Sequence, residues 1–184
     1  MSEKSQVFYK KVSWKWVAII LFALSAVIWT QTSLVRAEKV GTAVGNRAPS
    51  FTLADLNGRP VALQAVVAKN KVTVLNFWGI WCPYCVQEIP DFVSFYREYR
   101  DRGVAILGID VGDDPGDLPA FVKKQQMTYP ILIDKGQAIS GLYRVSGFPT
   151  TFLIDRQGKI GEVIIGATNR ETLKKRVEAM LAER

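Results

Sequence analysis

The sequence of 184 residues contains no histidine and only two cysteines. Without histidine it cannot form a Ser-His-Asp triad, a Cys-His protease site, a histidine-ligated metal site or a histidine acid–base pair. Two cysteines are too few for a disulfide-stapled miniprotein, and a half zinc site has no third soft ligand to complete it. Chemistry is therefore left to cysteine, carboxylate, lysine, tyrosine or backbone groups, and we expect neither a metal ion nor a bound cofactor.

The sequence also lacks an acidic surplus, since 24 Lys and Arg stand against 17 Asp and Glu, for a net charge of +7. A nucleic-acid-binding surface would gather the basic residues on one face or stripe. Here they are spread along the chain, with no basic cluster interleaved with aromatic residues. We therefore expect no nucleic-acid partner.

Charged residues are absent from residues 16–35, an apolar run with the length that a helix needs to cross a bilayer. Residues 1–15 carry four lysines, and basic residues are enriched on the cytoplasmic side of membrane helices. The pattern predicts a cytoplasmic tail at 1–15, a single transmembrane signal-anchor at 16–35, and a domain on the extracytoplasmic side of the cell membrane. A cleaved signal peptide is the alternative, because Val35-Arg36-Ala37 has the small-residue spacing that signal peptidase accepts.

Residues 36–46 are small and polar and contain glycine, which is typical of a linker. Strand and helix patterns alternate over residues 47–184, which indicates one α/β domain with a central mixed β-sheet flanked by helices. Asn57-Gly58 predicts an N-terminal hairpin. The predicted strands are 51–53, 61–63, 72–78, 104–109, 130–133, 150–154 and 160–165, and the predicted helices are 83–102, 118–126, 137–143 and 170–184.

The two cysteines lie three residues apart, at the point where a predicted strand ends and a predicted helix begins. Unpaired N–H groups and the helix dipole stabilise an anion at a helix N-terminus, so Cys82 can be a thiolate nucleophile at neutral pH. Pro83 suits the first helical position, where a missing N–H removes no hydrogen bond. Cys85, one turn into the helix, is placed to attack a mixed disulfide at Cys82. A structural disulfide is the alternative, although so short a loop gains little stability from its closure.

The segments around these cysteines resemble thioredoxin-fold proteins, namely Asn76 to Cys85, Glu88 to Pro90, and Gly147 to Asp155. With the N-terminal apolar run and residues 133–136, the chain from about residue 45 onward resembles the ResA/TlpA branch of membrane-anchored thiol-disulfide oxidoreductases. The resemblance implies a thioredoxin-like fold with a four- or five-stranded central sheet and an insertion around residues 112–130. It also implies a redox-active Cys82–Cys85 disulfide and a cis peptide bond before Pro149.

The same resemblance implies a client-binding groove beside Cys82. Trp81 would form its apolar wall, and the Phe148–Pro149 loop would pair with an extended client peptide as an added strand. The predicted substrate-binding residues are Trp81, Pro83, Tyr84, Phe148, Pro149 and Thr150. Packing in the core is the alternative role for Trp81 and Phe148.

Asn76 stands where ordinary thioredoxins carry a buried aspartate, so that proton acceptor is missing. Glu88 lies one turn after Cys85 on the same helical face and is the candidate to accept the Cys85 proton. The predicted catalytic residues are therefore Cys82, Cys85 and Glu88. A solvated surface position is the alternative for Glu88.

Four acidic residues follow the strand predicted at 104–109 and lack the spacing of a calcium loop. We interpret them as a solvated turn and a helix N-cap, with a partner-docking patch as the alternative. They are Asp110, Asp113, Asp114 and Asp117.

These observations favour an extracytoplasmic protein-disulfide reductase whose substrates are client protein disulfides. By resemblance, the expected client is apocytochrome c and the expected electron donor is a membrane thiol carrier. The absence of histidine at residue 84 argues mildly for a reductant. The alternatives are a thiol oxidase, a reductase for another cell-envelope or sporulation client, and a non-catalytic adaptor that binds clients through the Trp81/Phe148 groove. A peroxidase is not indicated, because no Pro-x-x-x-Thr-x-x-Cys pattern surrounds Cys82.

Overall fold

The structure is a computed structural model that describes residues 14–15, 17–22 and 38–182. Residues 14–15 and 17–22 are helical. In the parts of the chain that the structure describes, no helix is both long and apolar enough to span a bilayer. The predicted transmembrane segment at 16–35 lies mostly outside the described residues, so it stays a prediction.

The main compact unit begins at Lys39. Its core is a five-stranded sheet in the order β5-β4-β3-β6-β7, and a separate two-stranded hairpin, β1-β2, precedes it in the chain. The strands are β1 Thr52–Ala54, β2 Pro60–Ala62, β3 Val72–Trp78, β4 Val104–Val111, β5 Ile131–Asp134, β6 Thr150–Asp155 and β7 Ile160–Ile165. The helices are α1 Leu63–Val67, α2 Pro83–Tyr99, α3 Leu118–Lys124, α4 Ala138–Leu142 and α5 Arg170–Ala182, and a 3₁₀ turn covers Arg100–Arg102.

Strand β3 lies at the centre of the sheet, and all seven of its residues are buried. It runs parallel to β4 and antiparallel to β6, while β4 pairs in parallel with β5, so the sheet is mixed as predicted. Burial on both faces explains why β3 is a continuous apolar run rather than an alternating one. The parallel arrangement directs the carboxyl ends of β3 and β4 to the same edge of the sheet.

Two apolar cores cover the two faces of the sheet. One contains Trp78 and the inner faces of α2, α3 and α5, including the stacked rings of Phe95 and Tyr99. The other packs α1 and α4 around Phe77 and Tyr143. Each fully buried aromatic or aliphatic side chain contributes about 1.5–3 kcal/mol relative to exposure, so the two cores hold the helices on the sheet.

The predicted hairpin is present, but its turn is organised by Asp55 rather than by Asn57-Gly58 alone. The Asp55 carboxylate accepts hydrogen bonds from the backbone N–H groups of Asn57 and Arg59 and from the Arg59 guanidinium. These bonds hold the pKa of Asp55 below its usual range. Gly58 supplies the left-handed conformation that the turn needs, with φ of 75°.

Other predicted elements differ from the structure at their ends. The strand predicted through residue 63 stops at Ala62, because Leu63 begins α1, a five-residue helix that the sequence pattern does not predict. Residues 39–46, within the predicted linker, are hydrogen-bonded to Arg47 and Ile160 and belong to the main compact unit.

Candidate active site

The two cysteines lie at the edge of the sheet where β3 and β4 end. After Trp78, residues 79–81 lead to Cys82, which is the N-cap of α2, and Pro83 occupies the first turn. The Cys82 sulfur accepts a hydrogen bond from the Cys85 backbone N–H at 3.2 Å. The sulfur therefore occupies the position at which a helix N-terminus stabilises negative charge, as the sequence predicted.

Cys82 and Cys85 form a disulfide bond. Cys85 is fully buried, whereas 4% of Cys82 is exposed. An attacking group from another protein can therefore reach only the Cys82 side of the bond. This asymmetry fits the predicted order, in which Cys82 reacts with the client and Cys85 resolves the mixed disulfide.

Trp81 forms a wall beside Cys82 and is not a core residue, since 54% of it is exposed. Its indole N–H donates to the Val111 carbonyl at 2.9 Å, and its ring meets the Phe148 ring edge-on with centroids 5.1 Å apart. A Cβ atom at Gly79 would lie 2.4 Å from the indole nitrogen. Residue 79 must therefore be glycine for the ring to lie where it does.

The Phe148–Pro149 peptide bond is cis, as expected. The Pro149 carbonyl accepts from the Gly166 N–H at 2.8 Å, and the Thr150 hydroxyl donates to the Gly147 carbonyl at 2.7 Å. Thr150 is buried, so its side chain supports the loop from inside. Within the described residues, neither the N–H nor the C=O of Phe148 has a backbone partner, so both remain available to an added strand.

The first turn of α2 presents the other two predicted substrate-binding residues to solvent. Pro83 is exposed, and 66% of Tyr84 is exposed. Together with Trp81 and the partly exposed Phe148, they form an apolar patch around Cys82. A cluster of exposed aromatic side chains is typical of a protein-binding site.

Glu88 is buried in the protein, so the surface alternative for this residue is wrong. Its carboxylate accepts hydrogen bonds from the Asn76 side-chain amide at 2.8 Å and from the Thr168 backbone N–H at 2.9 Å. Burial raises the pKa of Glu88 to about 7, although these two hydrogen bonds oppose the rise. An acid with a pKa near neutrality, one turn from Cys85, can both accept and return a proton.

Asn76 occupies the position of the missing aspartate, and its side-chain amide holds the Glu88 carboxylate. Its amide also donates to the Thr151 hydroxyl at 3.1 Å, which fixes the orientation of the amide toward Glu88. The predicted proton acceptor is thus held from two elements, by Asn76 on β3 and by Thr168 in the segment before α5.

The interpretation of the acidic cluster as a solvated turn is wrong for two of its members. Asp110 is the seventh residue of β4 and is completely buried. Asp113 accepts a hydrogen bond from the Ile80 backbone N–H at 2.6 Å, directly beside the cysteine motif. Asp117 is the N-cap of α3, but its side chain makes no capping bond. The sequence signal for Asp110 is the apolar Val111 that follows it, because β4 continues through both residues.

In the described part of the chain, no group of three or more Asp, Glu, Cys or His side chains is arranged to hold a metal ion. The reactive group is the Cys82–Cys85 disulfide itself.

Comparison with known proteins agrees with this geometry. Residues 44–163 match the AhpC/TSA family. The thiol-disulfide oxidoreductase ResA of Bacillus cereus is 38% identical over 158 residues, which cover 86% of this chain and 90% of the relative.

Solved structures also superpose on the chain. A thiol:disulfide interchange protein of the thioredoxin family from Chlorobium tepidum aligns with a TM-score of 0.66 and 28% identity, over 74% of this chain and 96% of that one. StoA from Bacillus subtilis aligns with a TM-score of 0.61 and 27% identity, over 70% of this chain and 96% of that one.

Proposed function

Because the chain belongs to the AhpC/TSA family and is a thiol-disulfide oxidoreductase of the ResA type, we propose that it reduces disulfides in client proteins outside the cytoplasm. The observation that carries this proposal is the position of the Cys82–Cys85 disulfide. It lies at the N-terminus of α2, beside the exposed Trp81 and the unpaired backbone of Phe148. These features supply a nucleophile, a contact surface and a docking edge in one place.

The exchange proceeds in two steps that together transfer two electrons. The Cys82 thiolate attacks one sulfur of the client disulfide, and the other client sulfur leaves as a thiolate. The Cys85 thiolate then attacks the Cys82 sulfur, which releases the second client thiolate and forms the Cys82–Cys85 disulfide. The client is reduced and the protein is oxidised, so a membrane thiol carrier must return two electrons by the same chemistry.

Glu88 accepts the Cys85 proton when Cys85 becomes the attacking group. Cys85 is fully buried, and burial in apolar surroundings raises the pKa of a thiol, so this cysteine needs a nearby base. Glu88 lies one turn further along the same helical face and has a pKa of about 7. At neutral pH a large share of Glu88 is therefore ionised and able to take the proton.

The client binds as an extended segment across the patch. Its backbone pairs with the free N–H and C=O of Phe148, while its apolar side chains contact Trp81 and Tyr84. Such contacts recognise an unfolded or extended chain rather than a folded surface. An apocytochrome c segment with an oxidised Cys-x-x-Cys-His pair has this form, and we propose it as the client.

Residues 16–35 would hold the domain at the outer face of the membrane, close to exported clients and to a membrane thiol carrier. The support for this location is the uncharged run and the lysines that precede it. Thiol exchange with client disulfides also requires a compartment in which such disulfides persist.

The reduction potential of the full-length protein tests the direction of transfer. Equilibration with glutathione or dithiothreitol should give a value near or below that of thioredoxin, about −270 mV. A value near −120 mV, as for strongly oxidising enzymes, would instead make the protein a thiol oxidase.

The rate with an oxidised Cys-x-x-Cys-His peptide tests the client. It should exceed the rate with a scrambled peptide that keeps the disulfide but not the flanking residues. Equal rates would point to another client, and no electron transfer to any disulfide would favour the adaptor.

A further inference from the structure

Asp110 is a buried carboxyl group in the wall of the active site. Its register partner on the neighbouring strand β3 is Trp78, and its partner on β5 is Ile133. Asp110 has no exposed surface. Among the described residues, neither carboxylate oxygen makes a hydrogen bond of good geometry. A buried carboxylate with so little hydrogen bonding costs several kcal/mol, and this cost favours the neutral acid at neutral pH.

The groups around Asp110 are acidic or uncharged. Burial is the main cause that raises the pKa of Asp110, to about 8, and the nearby Asp113 and Asp134 carboxyls raise it further. On β3 its neighbour Trp78 is uncharged and is stacked by Phe121 of α3. No cation in the described chain contributes to the pKa of Asp110, and only the backbone N–H of Asp113 opposes the rise.

Asp113 is the side chain with which a protonated Asp110 interacts. A carboxylic acid has one O–H to donate, and Asp113 offers carboxylate oxygens as acceptors. The interaction between the two side chains contributes to the raised pKa of Asp110. One proton shared by two carboxyls also removes the repulsion that two charges so close together would cause.

Asp113 in turn holds the loop that carries the nucleophile. It accepts the Ile80 N–H at 2.6 Å, two residues before Cys82. The next residue, Trp81, is bonded to the carbonyl of Val111. The loop between β3 and α2 is thus tied at two points to residues 111–113.

We propose that Asp110 is a positioning residue for disulfide exchange, which acts by sharing a proton with Asp113 and thereby keeps Asp113 bonded to the Ile80 amide. Loss of that proton places two carboxylates side by side, and Asp113 then moves away from Ile80. The Cys82 loop and the Trp81 wall lose one of their two attachments. Exchange therefore slows at alkaline pH for a reason separate from the titration of Glu88 or of the thiols. This inference rests on the exchange activity proposed above and deepens it.

The test follows the Ile80 amide by NMR in the full-length, oxidised protein in detergent micelles, where no thiol titrates. The amide proton should shift upfield as pH rises, with a midpoint near 8, and Asp110→Asn should remove this transition. Glu88→Gln is the control, and it should leave the transition in place because Glu88 titrates nearer pH 7. An Ile80 amide that does not respond to pH in the unmodified protein would overturn the proposal without the need for any variant.

The functional arm compares reduction of the disulfide by dithiothreitol in Asp110→Asn and the unmodified protein. Taking the ratio of rate constants at each pH cancels the titration of the reagent itself. The ratio should be close to one at about pH 6.5 and should rise by about threefold or more at about pH 9. A constant ratio would contradict the positioning role. Failure of the proposed function would look different, since neither protein would then exchange with a client disulfide at any pH.

Discussion

At the scale of single residues, the chemistry of Glu88 depends on its buried surroundings. Its pKa is raised to about 7 by burial, so the fraction that can act as a base changes across the physiological range. We expect Glu88→Gln to slow formation of the Cys82–Cys85 disulfide by about 100-fold at pH 8, because a positioned base typically contributes that much or more. Stopped-flow fluorescence of the reduced protein with an oxidised peptide measures this step.

The pH profile distinguishes loss of a base from general damage. In the unmodified protein the rate should rise through a midpoint near pH 7, and Glu88→Gln should lose that midpoint. The matched control is Glu171→Gln at an exposed position of α5, which should leave the rate and the profile unchanged. An unchanged midpoint in Glu88→Gln would remove Glu88 from the mechanism.

The raised pKa of Glu88 also makes the free energy of unfolding depend on pH. The folded protein retains the Glu88 proton between pH 4.5 and 7, where the unfolded chain has already released it. Stability from this group is therefore present below pH 4.5 and is lost as pH rises toward 7. Relative to the oxidised unmodified protein, Glu88→Gln should gain about 1–3 kcal/mol between pH 4.5 and 7.5, measured by urea unfolding. A difference that is constant with pH would show that Glu88 is not shifted.

The sequence predicts some of these residues well and others poorly. Glu88 could be placed near Cys85 because a spacing of three in a helix puts both on one face. Its burial could not be predicted, since the Thr168 amide that covers it comes from 80 residues further along the chain. Asp110 was missed because a charged residue after an apolar run resembles the start of a loop, whereas β4 continues to Val111.

At the scale of elements, the N-terminus of α2 separates the two cysteines chemically. The Cys82 sulfur accepts a hydrogen bond from the Cys85 backbone N–H at the start of the helix, whereas the Cys85 side chain is fully buried in the first turn. In the reduced protein at pH 7, we expect iodoacetamide to alkylate Cys82 at least about tenfold faster than Cys85. Mass spectrometry of Cys85→Ser and Cys82→Ser gives the two rates separately. Equal rates would mean that the helix does not distinguish the sulfurs.

The loop between β3 and α2 depends on Gly79. Gly79→Ala would place a methyl group against the Trp81 ring and break the indole bond to Val111 and the contact with Phe148. We expect a loss of about 1–2 kcal/mol in the free energy of unfolding, a change in Trp81 fluorescence and slower reaction with peptide clients.

Gly141→Ala in α4 is the control for this loop substitution, because nothing lies within 4 Å of the added methyl group. It should be neutral or stabilising by up to about 1 kcal/mol, since alanine favours a helix more than glycine does. If Gly79→Ala behaved like Gly141→Ala in stability and client rate, Trp81 would have no role as a fixed wall.

Most elements could be predicted from their sequence pattern, but the five-residue α1 could not. The continuous apolar run of β3 and the helical spacing of α2 are clear in the sequence, and both elements were predicted to within a few residues. α1 has five residues that continue an apolar strand pattern, so its helical state depends on packing of Leu63 and Val67 into the core rather than on a local signal. The turn between β1 and β2 was also only partly predicted. The Asn57-Gly58 pair indicates a turn, but it does not indicate the hydrogen bonds that the Asp55 carboxylate accepts there.

At the scale of the whole molecule, residues 39–184 form a compact unit with both cores and the complete cysteine site. We expect a protein of residues 39–184 to fold alone and to reduce a soluble disulfide substrate such as insulin at a rate within about twofold of the full chain. Circular dichroism and a turbidity assay measure the two properties. Loss of folding in this fragment would show that the N-terminal residues contribute to the domain.

Alternation of strands and helices indicated an α/β fold with a mixed sheet, because few topologies bury such a pattern. The strand order β5-β4-β3-β6-β7 and the cis bond before Pro149 did not follow from periodicity. The cis bond was expected only through resemblance, and so was a central sheet of either four or five strands. Contacts between residues distant in sequence decide these features, and a single sequence does not display them.

The central claim is that Cys82 attacks client disulfides and Cys85 resolves the product, and trapping tests it most directly. Cys85→Ser, reduced and mixed with an oxidised Cys-x-x-Cys-His peptide, should accumulate a mixed disulfide at Cys82 that dithiothreitol releases. Cys82→Ser should accumulate none at Cys85, which is fully buried in the first turn of α2. Absence of the adduct in Cys85→Ser, or an equal yield in Cys82→Ser, would contradict the account.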